Sequence, residues 1–351
     1  MTLNSLFNAA VKIVTKDNVV AVISDTPLNT LSSGIYNGGY KKVNAILNVS
    51  VPDSYNDEYL HYDPMNLIYD AQKKLQVTTD FVAMLTAAKI QNLSITTRQV
   101  GDVEIVAIAT AGWRHGESAG EDIKNGHYVP GTINIMVILA ANPTDSCLVG
   151  LFLTATEAKT AAMNDYDIRS RYSGDAATGT VTDSLSVAAT GVGEKIEFGG
   201  PASSVGQLVG SAVRQVVKEA ADKQEGQHKG RTLARRLSEQ HMSIDYLAAE
   251  ISKLQIFGNK ETVISTLEIC LPTNSVYAAF LLAAVKLDDD FKKGLIPNEF
   301  GDVVSLSKCF GCLLLDQKFV ENLPNFSEVT LPPFTKCAVV AILQSFLSKT
   351  C

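Results

Sequence analysis

Three polar stretches of this sequence carry side chains that can move protons or stabilise negative charge. Residues 110–122, TAGWRHGESAGED, place His115 two positions before Glu117, with Arg114, Glu121 and Asp122 close by. An imidazole titrates near neutrality, so His115 can serve as a base and Glu117 as the group that orients it. Residues 178–186, TGTVTDSLS, set Thr180 and Thr182 beside Asp183, a grouping in which a hydroxyl nucleophile could meet a carboxylate base. Residues 31–40, LSSGIYNGGY, bring Ser33 and Asn37 together with Gly38 and Gly39, whose bare backbone N–H groups can approach a bulky polar ligand. Base, nucleophile and backbone donors are the parts that cleavage of an amide requires, because the carbonyl oxygen becomes anionic and the amine must leave with a proton. Each stretch also has a plainer reading: a solvated charged loop, turn amides satisfied by local hydroxyls, and an ordinary glycine turn.

Metal and thiol chemistry have weaker signatures. The five histidines, at 61, 115, 127, 228 and 241, stand apart, and neither H-E-x-x-H nor a paired C-x-x-C occurs, so no metal is expected. The single C-x-x-C, Cys309 to Cys312, lies in an apolar helical stretch and reads as two buried core thiols.

The elements that must position these groups fall into two blocks. Short β-branched runs at 45–51, 103–109, 133–139 and 148–153 alternate with turn residues, as strands of a mixed sheet do. The stripe Val205, Leu208, Val209, Ala212, Val213, Val216, Val217, Ala220 predicts a helix packed on that sheet, N-capped at Ser204 with Gln207 completing a capping box. Residues 222–230, DKQEGQHKG, break the pattern, and beyond them helical spacing dominates, residues 262–270 and 276–287 included. The expected architecture is an α/β or α+β domain over 1–228, a mixed sheet with packed helices, followed by a smaller all-α domain over 229–351.

Composition narrows the partners. With 46% hydrophobic and 19% charged residues the chain is too apolar for extended disorder. Thirty basic against 37 acidic residues, and no basic run, argue against nucleic acid. Apolar runs such as 133–141 fall well short of the roughly 18 residues of a membrane span, and residues 1–18 lack the apolar core of an export signal. Six scattered cysteines fit a reducing compartment, so a cytoplasmic location is expected.

The order of the motifs along residues 20–222 resembles the adenosylcobinamide amidohydrolase family. The resemblance rests on SSGIYNGG at 32–39, MLTAAKI at 84–90, ATAG at 109–112, PGTINIMV at 130–137, TATEAKTAA at 154–162 and TGTVTDSLSVA at 178–188, with FGGPASSVGQLVG at 198–210 closing the domain. Where family members tend to carry Asn and Arg after the TAG motif, this chain carries His115, Glu117 and Ser118. The resemblance implies hydrolysis of the amide joining cobyric acid to its aminopropanol arm, with adenosylcobinamide as partner and substrate and no resident cofactor. The chain also lacks D-x-H-x-x-G, the signature by which B12-dependent enzymes replace the lower ligand with histidine. On the matched positions, Ser33, Asn37, Gly38, Gly39, Asn134 and Thr180 are expected to hold substrate. Either Thr182 with Asp183 or His115 with Glu117 would supply nucleophile or base, and Glu157 and Lys159 are expected to pair at the start of a helix, orienting substrate or bracing the fold.

Beyond Gly230 the chain resembles more weakly the all-α phosphatases related to the phosphatidylglycerophosphatase A family, which include α-ribazole-phosphate phosphatases. The matching stretches are 233–251, 275–296 and 334–349. That family carries an acidic pair in its final helix, whereas this chain reads Phe334-Thr335-Lys336-Cys337-Ala338 there. A lysine and a thiol are poor ligands for Mg²⁺, and Asp288, Asp289 and Asp290 would fan about 100° apart on a helix. The domain is therefore expected to be a degenerate phosphatase, serving as a packing or oligomerisation module against the first domain or a second copy of the chain.

Overall fold

The computed structural model describes residues 2–6, 11–52, 64–121, 131–226, 231–297, 299, 301–314 and 325–350. Asp122, Pro130, His61, His127, His228 and the expected boundary at 228/229 lie outside these residues. The chain divides into two compact units, Met1–Gly230 and Arg231–Cys351.

In the first unit, strands β1 (Thr2–Leu6), β2 (Val11–Lys16), β3 (Val19–Ser32) and β4 (Gly39–Ser50) lead through helix α1 (Met65–Leu75) to β5 (Phe81–Thr86). Then come β6 (Ser94–Val100), β7 (Val103–Gly112), the two-residue β8 (Gly116–Glu117), β9 (Thr132–Ala140) and β10 (Asn142–Pro143). Helix α2 (Asp145–Asp165), β11 (Gly179–Thr180), β12 (Ser184–Ala189), β13 (Lys195–Ile196) and helix α3 (Ser204–Glu225) complete the unit. Nine strands form one mixed sheet in the order β1-β2-β3-β12-β9-β7-β6, with β4 on the other edge of β3 and β5 beyond β4. The β4–β5 and β9–β12 pairs are parallel and the rest antiparallel.

This sheet folds back on itself. β3 pairs with β2 through residues 19–24 and with β12 through 29–32, and its register against β4 shifts between Ile23 and Leu28. Such an irregularity bends a strand and lets its halves serve two layers. Alternation along the strands shows the result. Val106, Ile108, Met136, Ile138 and Ala188 share a core with Val20, Val22, Ile46, Val82 and Met84, and no α-helix contributes to it. The opposite faces turn outward, Ala107, Ile135, Val137 and Val187 towards α2 and α3, Ala21, Ala45, Leu47 and Ala83 towards α1. The layering is therefore helix, sheet, sheet, helix.

The mixed sheet with packed helices agrees with the sequence reading, with two corrections. Residues 148–153 are not a strand but part of α2, because Cys147, Leu148, Leu151, Ala155, Ala158 and Ala162 are buried at helical spacing and the Thr144 side chain caps the first turn. Helix α3 buries the expected stripe, with Leu208 only partly covered, but its cap is Ser203, whose hydroxyl accepts from Gly206 N at 3.1 Å.

The second unit is helical: α4 (Leu233–Glu239), α5 (Ile244–Ser252), α6 (Lys260–Thr273), α7 (Ser275–Lys292), α8 (Val303–Cys312) and α9 (Pro333–Thr350). The side chains of Thr232, Ser243, Asn259, Asn274 and Asp302 cap successive helices. Asp288 is buried and accepts from Phe334 N at 2.9 Å and Thr335 N at 2.7 Å, so this carboxylate closes the first turn of α9. Its neighbours point elsewhere, Asp289 to Lys293 at 2.8 Å and Asp290 to Lys286 at 2.5 Å. The thiol pair departs from expectation: Ser307 and Gly311 are the buried positions of α8, which leaves Cys309 exposed and Cys312 half-buried. No single described helix is long and apolar enough to cross a membrane; α6 and α7 pass that test only together, and they are bent by 109°.

A β-carbon on Gly206 would collide with the carbonyl oxygen of Gly200 and stand 2.9 Å from that of Gly199, both backbone atoms. Gly206→Ala is expected to destabilise the fold by about 2 kcal/mol, read as a lower urea midpoint at unchanged slope. An unchanged midpoint would show that the turn before α3 yields at no cost.

Candidate functional site

At one end of the space between the two sheet layers the facing residues change from apolar to polar. Ser32, Asn48, Ser50, Thr86, Thr110, Thr132, Asn134 and Ser186 are all buried there. They bond to one another: across the layers Asn48 Nδ2 donates to Thr110 Oγ1 at 2.9 Å and Asn134 Nδ2 to Asn48 Oδ1 at 2.8 Å, and side by side in the β3–β12 ladder the Ser32 and Ser186 hydroxyls stand 2.7 Å apart. Directly outside this cluster opens a pocket of about 250 Å³, lined by Ala87, Ala88, Gly112, Arg114, His115, Gly131, Thr132, Gln224 and Glu225.

The end of α3 braces two of its walls. Glu225 Oε1 accepts from Arg114 N at 2.8 Å, and Gln224 Oε1 accepts from Lys89 N at 3.1 Å and Asn92 Nδ2 at 2.8 Å. Gly131 is the meeting point of the third. A β-carbon there would lie 3.2 Å from the His115 carbonyl oxygen, 3.3 Å from Thr180 Cβ and 3.5 Å from the Gly112 carbonyl oxygen. The segments around His115 and Asp183, candidates far apart in sequence, thus converge beside one pocket.

Their partners differ from those expected. Glu117 does not orient His115; its carboxylate accepts from Arg171 at 2.9 Å, while Glu121 accepts from Ser118 N at 3.0 Å and from the hydroxyls of Ser170 and Ser173. These acids tie the loop after β7 to residues 170–173. Burial pulls the His115 imidazole below its usual range, and the positive charges of Arg171 and Arg114 add to the effect. Its neutral form is therefore favoured near physiological pH.

Asp183 is fully engaged. Its carboxylate accepts from Ile133 N at 2.9 Å, Thr180 N at 3.1 Å, the Thr180 hydroxyl and the Lys159 ammonium. Four donors fill the lone-pair sites of a carboxylate, which suits a group that positions its neighbours. The Thr182 hydroxyl bonds elsewhere, to Thr132 Oγ1 at 2.7 Å and to the Gly131 carbonyl at 3.2 Å. The expected Glu157–Lys159 pair does not form: both lie in the second half of α2, two residues apart, where side chains diverge. Lys159 turns to Asp183 and Glu157 is exposed.

The glycine-rich loop splits. Ser33 joins the site end, its Oγ accepting from Leu185 N at 2.9 Å. Asn37, at φ +55°, donates to the Phe81 carbonyl at 3.0 Å, and Tyr36 stacks on Phe81 towards α1. Phe81 stands about 17 Å along β5 from Thr86, so Asn37 is held away from the pocket, and neither Gly38 nor Gly39 is among the residues that line it. Arg171, Gln224 and Glu225 had no signal in the sequence, being brought in by tertiary packing. Thr132 stood inside the matched PGTINIMV motif. Among the described residues no three His, Cys, Asp or Glu side chains gather as a metal-binding group.

A family model described as adenosylcobinamide amidohydrolase matches residues 6–229. The chain belongs to the adenosylcobinamide amidohydrolase family. Among curated relatives, an uncharacterized protein of Methanocaldococcus jannaschii is 31% identical over 208 residues, 53% of this chain and 80% of that one. A Methanosarcina mazei protein named adenosylcobinamide amidohydrolase is 26% identical over 212 residues, 58% of this chain and 94% of that one. Among solved structures, the PH0078 protein of Pyrococcus horikoshii aligns over 63% of this chain and 81% of its own at 11% identity, with a TM-score of 0.32. The family match ends at the boundary between the two units, so the pocket and its polar interior both lie in the amidohydrolase unit.

A histidine whose folded-state pKa is lowered binds protons more readily when unfolded, so His115 takes stability away as pH falls below its ordinary value of 6.5. An NMR titration of its ring protons is expected to show a midpoint below 6.5; a midpoint at or above that value would contradict the half-buried, arginine-flanked setting.

Proposed function

We propose that the first unit hydrolyses the amide of adenosylcobinamide, releasing aminopropanol and adenosylcobyric acid, which can re-enter vitamin B12 synthesis. The corrinoid is substrate and not cofactor. The observation that carries the reading is the pocket: a neutral, half-buried histidine stands beside hydroxyls and glycine backbone at the entrance to a polar interior, in a chain of this family. Its size supports a particular mode of binding. At about 250 Å³ it is smaller than the ~300–1,000 Å³ of pockets that engulf a drug-sized ligand, so a corrin macrocycle stays outside and one arm enters.

In this reading His115 takes a proton from the attacking water and returns it to the departing amine. Thr182 has one proton to give, and turning it from the Gly131 carbonyl to Thr132 leaves the Thr132 proton free to meet the carbonyl oxygen as it becomes anionic. Asp183, held by Lys159, fixes the turn that carries Thr180 and Thr182 and anchors the first residues of β9. Incubation with adenosylcobinamide should give adenosylcobyric acid by mass, and His115→Gln should lower turnover at least about a hundredfold with the fold intact. Tight binding without product would make the chain a corrinoid carrier, and a His115→Gln variant of near wild-type rate would remove His115 from the chemistry.

The helical unit is proposed as a packing or self-association module without phosphatase activity. Asp288, which a metal would need, is spent on the first turn of α9, and Asp289 and Asp290 are paired with lysines. The full-length protein should release no magnesium-dependent phosphate from α-ribazole phosphate, whereas sustained, chelator-sensitive release would restore a second activity.

A further inference from the structure

Ala88, Gly112 and Thr132 line the pocket, and one step inward on the same three segments come Thr86, Thr110 and Asn134. Thr110 sits opposite Asn134 in the β7–β9 ladder, as Gly112 sits opposite Thr132. Two residues along a strand face the same way, so Asn134 lies about 7 Å beneath the pocket wall.

The hydrogen bonds among these residues run in one direction. Asn134 Nδ2 gives both its hydrogens to acceptors, Asn48 Oδ1 at 2.8 Å and the Leu85 carbonyl at 2.8 Å, which fixes the orientation of the amide. Asn48 then donates to Thr110 at 2.9 Å, and Thr110 donates to Thr86 at 3.2 Å. Thr86 Oγ1 also accepts from Ala88 N at 3.1 Å. The chain therefore begins at an acceptor, Asn134 Oδ1, and ends at a hydroxyl that has accepted twice and still has its own proton to give. Asn134 is 0% exposed, and its Oδ1 has no partner among the described residues. An unmatched acceptor at this depth carries its full desolvation cost unless something donates to it.

We infer that Asn134 and Thr86 form a subsite for an alcohol, and that the secondary hydroxyl of the aminopropanol arm binds there. A hydroxyl donates once and accepts, which complements one open acceptor and one open donor, and a neutral floor suits an uncharged group. With that hydroxyl at Asn134, the amide a few bonds back along the arm lies at the level of Thr132 and His115. This rests on the proposed hydrolysis of the arm and adds what the hydroxyl of the arm meets.

Two measurements on the wild-type, full-length protein test it. Adenosylcobinamide should be hydrolysed with a kcat/KM at least about tenfold above that of an analogue whose arm is n-propylamine, because a site built to bond a hydroxyl rejects the ligand lacking one. Equal values would overturn the subsite. The second reads binding alone: N-(2-hydroxypropyl)acetamide should shift the side-chain amide resonances of Asn134, and N-propylacetamide should not. Equal shifts, or none with either probe, overturn the subsite whether or not adenosylcobinamide is turned over, while absence of turnover alongside the selective shift counts against hydrolysis only. In variants that keep the wild-type circular dichroism, Thr86→Val should abolish the preference for the hydroxylated arm and Thr86→Ser retain it.

Discussion

A sheet folded into two facing layers must fill the space between them, and in this chain one end of that space is filled with amides and hydroxyls. Buried polar groups of this kind are tolerated only when bonded, and the bonds here run across the layers: Asn134 to Asn48, Asn48 to Thr110, Asn134 to the Leu85 carbonyl. The same contacts that hold the two layers in register hold the polar interior under the pocket. A shift of one residue in β4 or β9 would turn Asn48 or Asn134 to the helical face and place Leu47 or Ile133 among the hydroxyls.

From this follows the division of labour among charged groups. Most acids around the pocket are engaged in structure: Glu117 with Arg171, Glu121 with two serines, Asp183 with Lys159 and Thr180, Glu225 with the backbone of Arg114. In the proposed reaction the group left for proton transfer among the described residues is His115, whose neutral form is favoured by burial and by the charges of Arg171 and Arg114. Such a site would polarise an amide through neutral donors and one imidazole, in keeping with a pocket sized for an uncharged arm.

Much of the fold was legible because periodicity reports burial. The continuous apolar runs of β7 and β9 follow from burial on both faces, and the stripe of α3 from having one face against a core. Residues 148–153 misled because an unbroken apolar run fits a buried strand and a buried helix equally well, and only the Thr144 cap and the continuation to Ala162 separate them. The site was legible in part. His115, Asp183 and Asn134 could be chosen by residue type and motif, yet their partners could not, since Glu117 sits beside His115 in sequence but faces Arg171, which is 54 residues away. Asn37 was a natural choice for a ligand loop, and its left-handed turn has a local reason instead, the Phe81 carbonyl.

An arm of adenosylcobinamide is proposed to enter the pocket between His115 and Thr132. Hydrogen exchange of the full-length protein with and without adenosylcobinamide, under conditions slow enough to precede turnover, tests it directly. New protection is expected to concentrate in residues 110–116 and 131–135, around the end of β7 and the start of β9. Protection confined to other segments, with those two unchanged, would contradict it.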